Sequence, residues 1–99
     1  MEREVASFLC RHGWTALFHD VRVMRVQVDL LMRAPSGLLH ILEVKSQGAG
    51  RMGYLGHRQC RRLMRVSAFL AGFEPVELRL AYVTGKHLRL LPVDALTAR

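Results

Sequence analysis

Two acidic residues and a lysine stand inside strongly apolar segments, with the spacing of a metal-dependent hydrolytic site. Asp29 follows Val28, and Glu43 and Lys45 flank Val44. A charge placed in a buried strand is costly, so its presence there indicates a function. Carboxylate oxygens are the ligands that Mg²⁺ prefers, and an ammonium group beside them can stabilise charge that develops on a phosphate. These residue types predict hydrolysis of a phosphodiester with the help of a bound metal.

A hairpin must bring these residues together, and the loop Ala34-Pro35-Ser36-Gly37 has the composition of a hairpin connection. If the chain turns about Ser36, Asp29 lies opposite Glu43 across the two strands. Because side chains alternate along a strand, Lys45 then lies on the face of Glu43. The same register pairs Leu31 with Ile41 and Arg33 with Leu39. It points four apolar side chains to the other face, namely Val28, Leu30, Leu42 and Val44.

The opposed carboxylates are the reason to expect a cation. Two like charges directly opposite each other on a sheet repel. A divalent ion between Asp29 and Glu43 would remove that repulsion, with the main-chain carbonyl of Val44 as a further ligand. The alternative is a surface salt bridge from Lys45 to Glu43 or Asp29, because acid-x-lysine is a common tripeptide.

The remaining patterns predict the elements that hold this hairpin. Helices are expected over 2–12 and 57–71, and strands over 27–33, 38–46, 76–83 and 87–91. A further strand is expected over 14–26, with a turn near His19 and Asp20, and Pro92 is expected to open a final helical turn. The order α-β-β-β-α-β-β predicts an α/β domain with a mixed central β-sheet flanked by helices.

The composition favours one small domain with a polyanionic partner. The chain has 99 residues, about half of them apolar, which suits a single domain over 1–99. Its formal net charge is +7, and of its 15 basic residues only Lys45 and Lys86 are lysines. Arginine suits forked contact with phosphate oxygens, so nucleic acid is the expected partner. A GC-rich genome would explain the preference for arginine over lysine, but not the excess of base over acid.

The cysteines and the hydropathy pattern exclude several other classes of protein. Cys10 and Cys60 form no C-x-x-C pair, so we expect neither a zinc ribbon nor a redox motif, and free thiols fit a reducing cytosol. Glu2 and Glu4 stand where a signal peptide would carry positive charge. The apolar stretches fall far short of the roughly twenty residues that span a bilayer. We therefore expect a cytoplasmic protein without a membrane partner.

Two segments carry candidate phosphate contacts. Four arginines of the second predicted helix lie on one stripe, at i, i+3, i+4 and i+7: Arg58, Arg61, Arg62 and Arg65. The stripe is either a phosphate-binding row beside the site or an ordinary solvated face. The glycines before it spell G-x-G-x-x-G, but too little chain follows to complete a dinucleotide-binding βαβ unit. This glycine loop, with Arg51, is either a close approach to a DNA phosphate or a plain connection.

The segments around Asp29 and Glu43 resemble the PD-(D/E)XK nuclease superfamily, through Val28-Asp29-Leu30-Leu31 and Leu42-Glu43-Val44-Lys45. The nearest likeness is to the YraN family of small bacterial proteins, and the second is to the archaeal Holliday-junction resolvases. The likeness covers nearly the whole chain. It includes Phe8-Leu9 and Gly13, Gln59-Cys60-Arg61-Arg62-Leu63, Ala68-Phe69-Leu70 and the closing Asp94-Ala95-Leu96.

The resemblance implies a restriction-endonuclease-like core, dependence on Mg²⁺ or Mn²⁺, and cleavage of branched or otherwise structured DNA. It implies that Asp29 and Glu43 are metal ligands and that Lys45 is the catalytic lysine. Glu2 resembles an auxiliary acid of the resolvases, by its offset from Phe8-Leu9. The chain departs from the YraN pattern where it has Val26-Gln27-Val28-Asp29 in place of Gly-Glu-Ile-Asp.

The expected function is therefore a magnesium-dependent endonuclease acting on DNA. The alternative is a catalytically inactive nucleic-acid-binding or adaptor domain of the same fold, in recombination, repair or DNA uptake. A third reading is a protein-interaction module that serves the same machinery. The likeness to resolvases also implies a homodimer, and the small size favours a partner protein that selects the substrate.

Overall fold

The computed structural model describes residues 1–46 and 56–93. Its elements, in chain order, are α1 (Glu2–Arg11), β1 (Thr15–Val23), β2 (Val26–Arg33), β3 (Leu39–Ser46), α2 (His57–Ala71), β4 (Val76–Thr84) and β5 (His87–Pro92). The predicted order α-β-β-β-α-β-β is confirmed. The loop that carries Arg51 and the closing Asp94-Ala95-Leu96 lie outside the described residues, as does most of the final helical turn expected after Pro92.

Helix α1 forms because its acids and bases suit a helix and its apolar residues share one side. Glu2 and Glu4 lie in the first turn and Arg11 in the last, which complements the helix dipole. Val5 and Leu9, four residues apart, are the buried positions. The chain leaves the helix through Gly13, which has a φ of +92° and lies so close to Pro35 that an added Cβ would meet the Pro35 ring at 3.3 Å.

Helix α2 buries a narrow apolar stripe and leaves the rest of its surface in solvent. Cys60, Leu63 and Val66 are buried, three residues apart. Val66 takes the core position after Leu63, and its neighbour Ser67 is only half-buried. The apolar Val66 is the better occupant of a buried position, and a spacing of three residues keeps it on the same side of the helix.

The five strands form one sheet in the order β1-β2-β3-β4-β5. Strands β3 and β4 pair in parallel, because α2 carries the chain back across the sheet between them, and the other neighbours are antiparallel. The mixed sheet flanked by helices is therefore confirmed. Helix α1 covers one face through a cluster that includes Leu30 and Leu42. Helix α2 covers the other through a cluster that includes Leu31 and Ile41.

The first hairpin differs from the prediction of a turn near His19 and Asp20. Strand β1 continues through those residues to Val23, and the turn lies at Met24 and Arg25, which have φ values of +53° and +66°. Two-residue hairpin turns with positive φ usually contain Asn or Gly, so a Met-Arg turn gives no recognisable signal in the sequence. Its position is fixed by the pairing of β1 with β2 rather than by turn residues.

Neither α1 nor α2 is both long enough and apolar enough to cross a bilayer.

Candidate active site

Asp29 lies where strands β2 and β3 separate. The predicted register is confirmed by the pairs Leu31–Ile41 and Arg33–Leu39, but the ladder ends at Leu30–Leu42, one pair short of Asp29 and Glu43. Beyond that point the main-chain N–H of Val44 donates to Asp29 Oδ2 at 2.8 Å. The side chain of Asp29 thus accepts the main-chain hydrogen bond that a neighbouring strand would otherwise accept from β3. Its carboxylate is therefore held beside Glu43-Val44-Lys45.

The separation of the strands also corrects one expectation about the two faces. Leu30, Leu42 and Val44 pack in the α1 cluster, as expected of one face, but Val28 packs in the α2 cluster. The alternation of side chains along β2 is therefore interrupted at Asp29. A single face does not hold all the polar groups, because Asp29 stands at the interruption between the two.

Glu43 is a buried carboxylate, with 6% of its surface exposed. It extends from the α2 face of the sheet, two residues after Ile41. Gln59, in the first turn of α2, donates a side-chain hydrogen bond to Glu43 Oε2. The ammonium nitrogen of Lys45 lies 3.9 Å from the same oxygen. The ion pair that the salt-bridge alternative predicted exists, but its acid is buried rather than on the surface.

The environment of Glu43 favours its protonated form. The pKa of Glu43 is raised from 4.5 to about 7, first by burial and then by the negative charge of Asp29 and a hydrogen bond with its carboxyl group. Lys45 and the amide of Gln59 oppose the shift. Without a cation, the Glu43 carboxyl therefore keeps its proton to a higher pH than an ordinary glutamate does. A pair of carboxyls with one pKa near neutrality is typical of a site that binds a cation or transfers a proton.

Glu2 and Asp20 approach Asp29 from the other side. One carboxylate oxygen from each of these three residues lies within 4.8 Å of the others, an arrangement that could hold a metal ion. Glu2 comes from the first turn of α1 and Asp20 from β1. Burial, with the charges of Asp29 and Asp20, raises the pKa of Glu2. The structure therefore brings Glu2 to Asp29, where the sequence expected it.

Asp20 reaches this position because β1 is distorted. It has a φ of +53°, which is unusual in a strand. The strand pairs His19–Leu30 and Val21–Val28 leave Asp20 and Asp29 unpaired between them, at the same level of the sheet. The side chain of Gln27 donates to Asp20 Oδ1 at 3.2 Å.

Asp29 is shared by two groups of side chains. On one side it meets Glu2 and Asp20, and on the other it meets Glu43, with Lys45 beyond. Glu43 does not belong to the group of three carboxylates. The predicted pair of Asp29 and Glu43 is therefore one part of the site, and the group of Glu2, Asp20 and Asp29 is the other. For Val44, the contact with Asp29 is made by the main-chain N–H rather than by the carbonyl.

Sequence reasoning missed Asp20 and Gln59. Asp20 would have been found by placing the first turn at Met24 and Arg25, since that register sets it level with Asp29. Gln59 was noted only as part of the second helix. Its contact with Glu43 depends on how α2 packs on the sheet, which no local pattern reports.

The four arginines of α2 are exposed, as the stripe predicted. Arg58, Arg61, Arg62 and Arg65 line an open depression of about 690 Å³ together with Met64 and Ala68. None of the four forms an ion pair with an acid of the described ranges. Arg58 adjoins Gln59, so the row begins next to the Glu43 contact.

Comparison with solved structures shows which fold this is. A repair endonuclease from Pyrococcus abyssi matches with a TM-score of 0.58 and 16% identity over 87% of this chain. The protein of a complex described as EndoMS with double-stranded DNA matches with a TM-score of 0.54 and 21% identity over 80% of this chain. The chain spans only 39% and 34% of the lengths of these two proteins. At such identities the likeness shows a common fold.

Family membership comes from the sequence itself. No curated protein is significantly similar to the chain. Residues 1–89 match the uncharacterised protein family UPF0102, which is the YraN family that the sequence resembles. The chain therefore belongs to family UPF0102 and has a restriction-endonuclease-like fold.

Proposed function

We propose that this chain is a metal-dependent endonuclease that hydrolyses phosphodiester bonds in DNA. One observation carries the proposal. Asp29 is anchored to the main chain between Glu43 and Lys45, so that two carboxylates and an ammonium meet where two strands separate. The acids that meet there in the described part of the chain offer carboxylate oxygens, which suit a hard cation. We propose Mg²⁺, or Mn²⁺ in its place.

The fit to a cation rests on the chemistry of this donor set. Glu43 is buried and lies against the like charge of Asp29, which is unfavourable unless a proton or a cation intervenes. We propose Asp29 and Glu43 as ligands, with the carbonyl of Val44, and Glu2 and Asp20 on the far side of Asp29. When bound, the ion would polarise the phosphate and lower the pKa of a water molecule.

The protein's own residues would divide the remaining work. Lys45 would stabilise the negative charge that develops on the phosphate and orient the attacking water, because its ammonium is partly exposed beside Glu43. Gln59 would hold the carboxylate of Glu43 in one orientation. The α2 arginines would bind phosphates that flank the cut bond.

DNA is the proposed substrate for two reasons. The chain is strongly basic, with a formal net charge of +7. The two structural neighbours are, by their descriptions, a repair endonuclease and a protein in complex with double-stranded DNA. Selectivity for branched DNA, a homodimer, a partner from recombination or DNA-uptake machinery and a cytoplasmic location stay predictions from the sequence.

The response of the protein to metal ions distinguishes the proposed enzyme from an inactive binding or adaptor domain of the same fold. Mg²⁺ or Mn²⁺ is expected to raise the melting temperature of the chain, since a ligand that binds only the folded state stabilises it. Glu43→Ala should abolish that rise, while Glu77→Gln, which removes an acid outside the site, should preserve it. A melting temperature of the unmodified chain that does not respond to either metal would contradict the proposed enzyme and favour the adaptor.

A further inference from the structure

Helix α1 carries a second basic surface, on the opposite face of the sheet from the α2 arginines. Arg3, Ser7 and Arg11 follow one another at intervals of four residues, so they share one side of the helix, and all three are exposed. This side is distinct from the buried one, which holds Val5 and Leu9. We call the three residues the α1 basic face.

The arginines of the α1 basic face have no acidic partner in the described ranges. Glu4, their nearest acid along the helix, pairs with the amino group of Met1 at 2.6 Å. Glu2 turns towards Asp29 and Asp20 instead. Two other arginines of the chain are neutralised by neighbours, in the pairs Arg33–Glu74 and Arg79–Glu77. Within the described ranges, the charge of the α1 basic face is therefore not paired with an acid.

Residues of the α1 basic face line two adjoining depressions of the protein surface. One, of about 380 Å³, is lined by Arg3, Glu4, Ser7 and Arg11. The other, of about 340 Å³, runs between α1 and β1 and is lined by Arg3, Ala6, Ser7, Cys10, Ala16, His19 and Leu30. Arg3 and Ser7 line both, so the two depressions adjoin, and we call them together the trough.

Two residues of the trough are next in the chain to acids of the group of three carboxylates. These residues, Arg3 and His19, are the chain neighbours of Glu2 and Asp20, whose carboxylates lie near Asp29. A polyanion lying in the trough would thus present one of its groups to the proposed metal site. The small walls at Ala6 and Ala16 leave room for a backbone of phosphate and sugar, and the hydroxyl of Ser7 adds a neutral donor.

We propose that the α1 basic face binds the phosphates of a nucleic-acid strand as it enters the site, so that α1 and α2 hold the substrate from both sides of the sheet. The inference rests on the proposed function and deepens it. Forked guanidinium contacts with phosphate are the chemistry that exposed, unpaired arginines offer. The row on α2 begins at Arg58, next to Gln59, which contacts Glu43. The row on α1 begins at Arg3, next to Glu2, so each row begins close to an acid of the proposed site.

The test is the salt dependence of DNA binding, measured by anisotropy of a labelled oligonucleotide in EDTA. All variants carry Lys45→Ala, so that cutting cannot interfere. Because each lost phosphate contact lowers the slope of log K against log salt by about one, Arg3→Ala with Arg11→Ala should lower it by about two. Arg3→Lys with Arg11→Lys should keep most of the slope, since lysine retains the charge.

The matched control is Arg89→Ala, which removes an exposed arginine from β5 at the other edge of the sheet. Its slope should stay that of the parent. An unchanged slope for the variant with both Arg3→Ala and Arg11→Ala would overturn the inference. The inference would also fail if Arg89→Ala lowered the slope by as much per charge as that double variant does. If Arg61→Ala with Arg65→Ala alone lowers the slope, the proposed function stands and the α1 inference fails. A parent chain that does not bind DNA contradicts both.

Discussion

The main-chain N–H of Val44 donates to the carboxylate of Asp29 at 2.8 Å, where the ladder between β2 and β3 has ended. The contact ties an acid of one strand to the middle of the Glu43-Val44-Lys45 tripeptide of the next. It stabilises the opening between the strands and fixes the position of the charge that both groups of acids share. Asp29 therefore has a structural role, besides the chemical role that we propose for it.

Two substitutions separate these roles of Asp29. Asparagine keeps an oxygen that can accept from Val44, whereas alanine leaves that N–H without its partner. Asp29→Ala is therefore expected to be less stable than Asp29→Asn by about 1–3 kcal/mol, measured by chemical denaturation without metal. Both variants should lose the stabilisation by Mg²⁺. Equal stabilities would mean that the contact with Val44 contributes nothing, and a metal response retained in Asp29→Asn would remove Asp29 from the ligands.

Because of Glu43, the stability of the metal-free protein should fall as the pH rises. Its folded pKa of about 7 lies above the ordinary value of 4.5, so its protonated form is favoured by folding. The stabilisation is complete below about pH 4.5 and is lost as the pH rises through 7. The shift corresponds to about 3 kcal/mol. Glu43→Gln should remove this component, so the difference between the two melting curves should change over that interval. A constant difference from pH 4 to 8 would contradict the burial and coupling of Glu43.

Gln59 should matter for metal binding near neutral pH. Its amide favours the ionised form of Glu43, so Gln59→Ala is expected to raise the pKa of that carboxyl and to make the proton compete harder with the cation. Mg²⁺ or Mn²⁺ affinity measured by titration calorimetry should fall at pH 7 and recover partly at pH 9. Ser67→Ala, on the same helix, is the control and should bind as the parent does. The same loss at both pH values would mean that Gln59 acts on the fold rather than on Glu43.

Asp20 should contribute to the affinity for metal although no sequence motif marks it. Asp20→Asn leaves Glu2 and Asp29 in place, so affinity should fall on the order of tenfold, or about 1.4 kcal/mol. The loss should be smaller than in Asp29→Asn, because Asp29 serves both groups. Glu77→Gln, which changes a half-buried acid outside the site, is the control. Unchanged affinity in Asp20→Asn would show that the Asp20 carboxylate is only a neighbour of the site.

The sequence predicted those parts of the fold that depend on local patterns. The Pro-Ser-Gly loop gave the register of β2 and β3, and the apolar spacing gave both helices, with α2 over the same residues as in the structure. The position of the first hairpin turn was not predicted, because a Met-Arg turn with positive φ has no sequence signal. For the same reason Asp20 was not predicted as a residue of the site. The contact of Gln59 with Glu43 and the change of face at Val28 arise from packing between elements, which a one-dimensional pattern does not contain.

The measurement that tests the central claim most directly is cleavage of single-stranded, duplex, flap and four-way DNA in Mn²⁺. The unmodified chain should cut at least one of these substrates, and chelation of the metal should stop it. Lys45→Ala should retain the metal-induced rise in melting temperature and lose at least on the order of 10²-fold in rate, whereas Asp29→Asn should lose both. Cleavage by both variants at the rate of the unmodified chain would contradict the account, because the activity would then come from a contaminant or from another site.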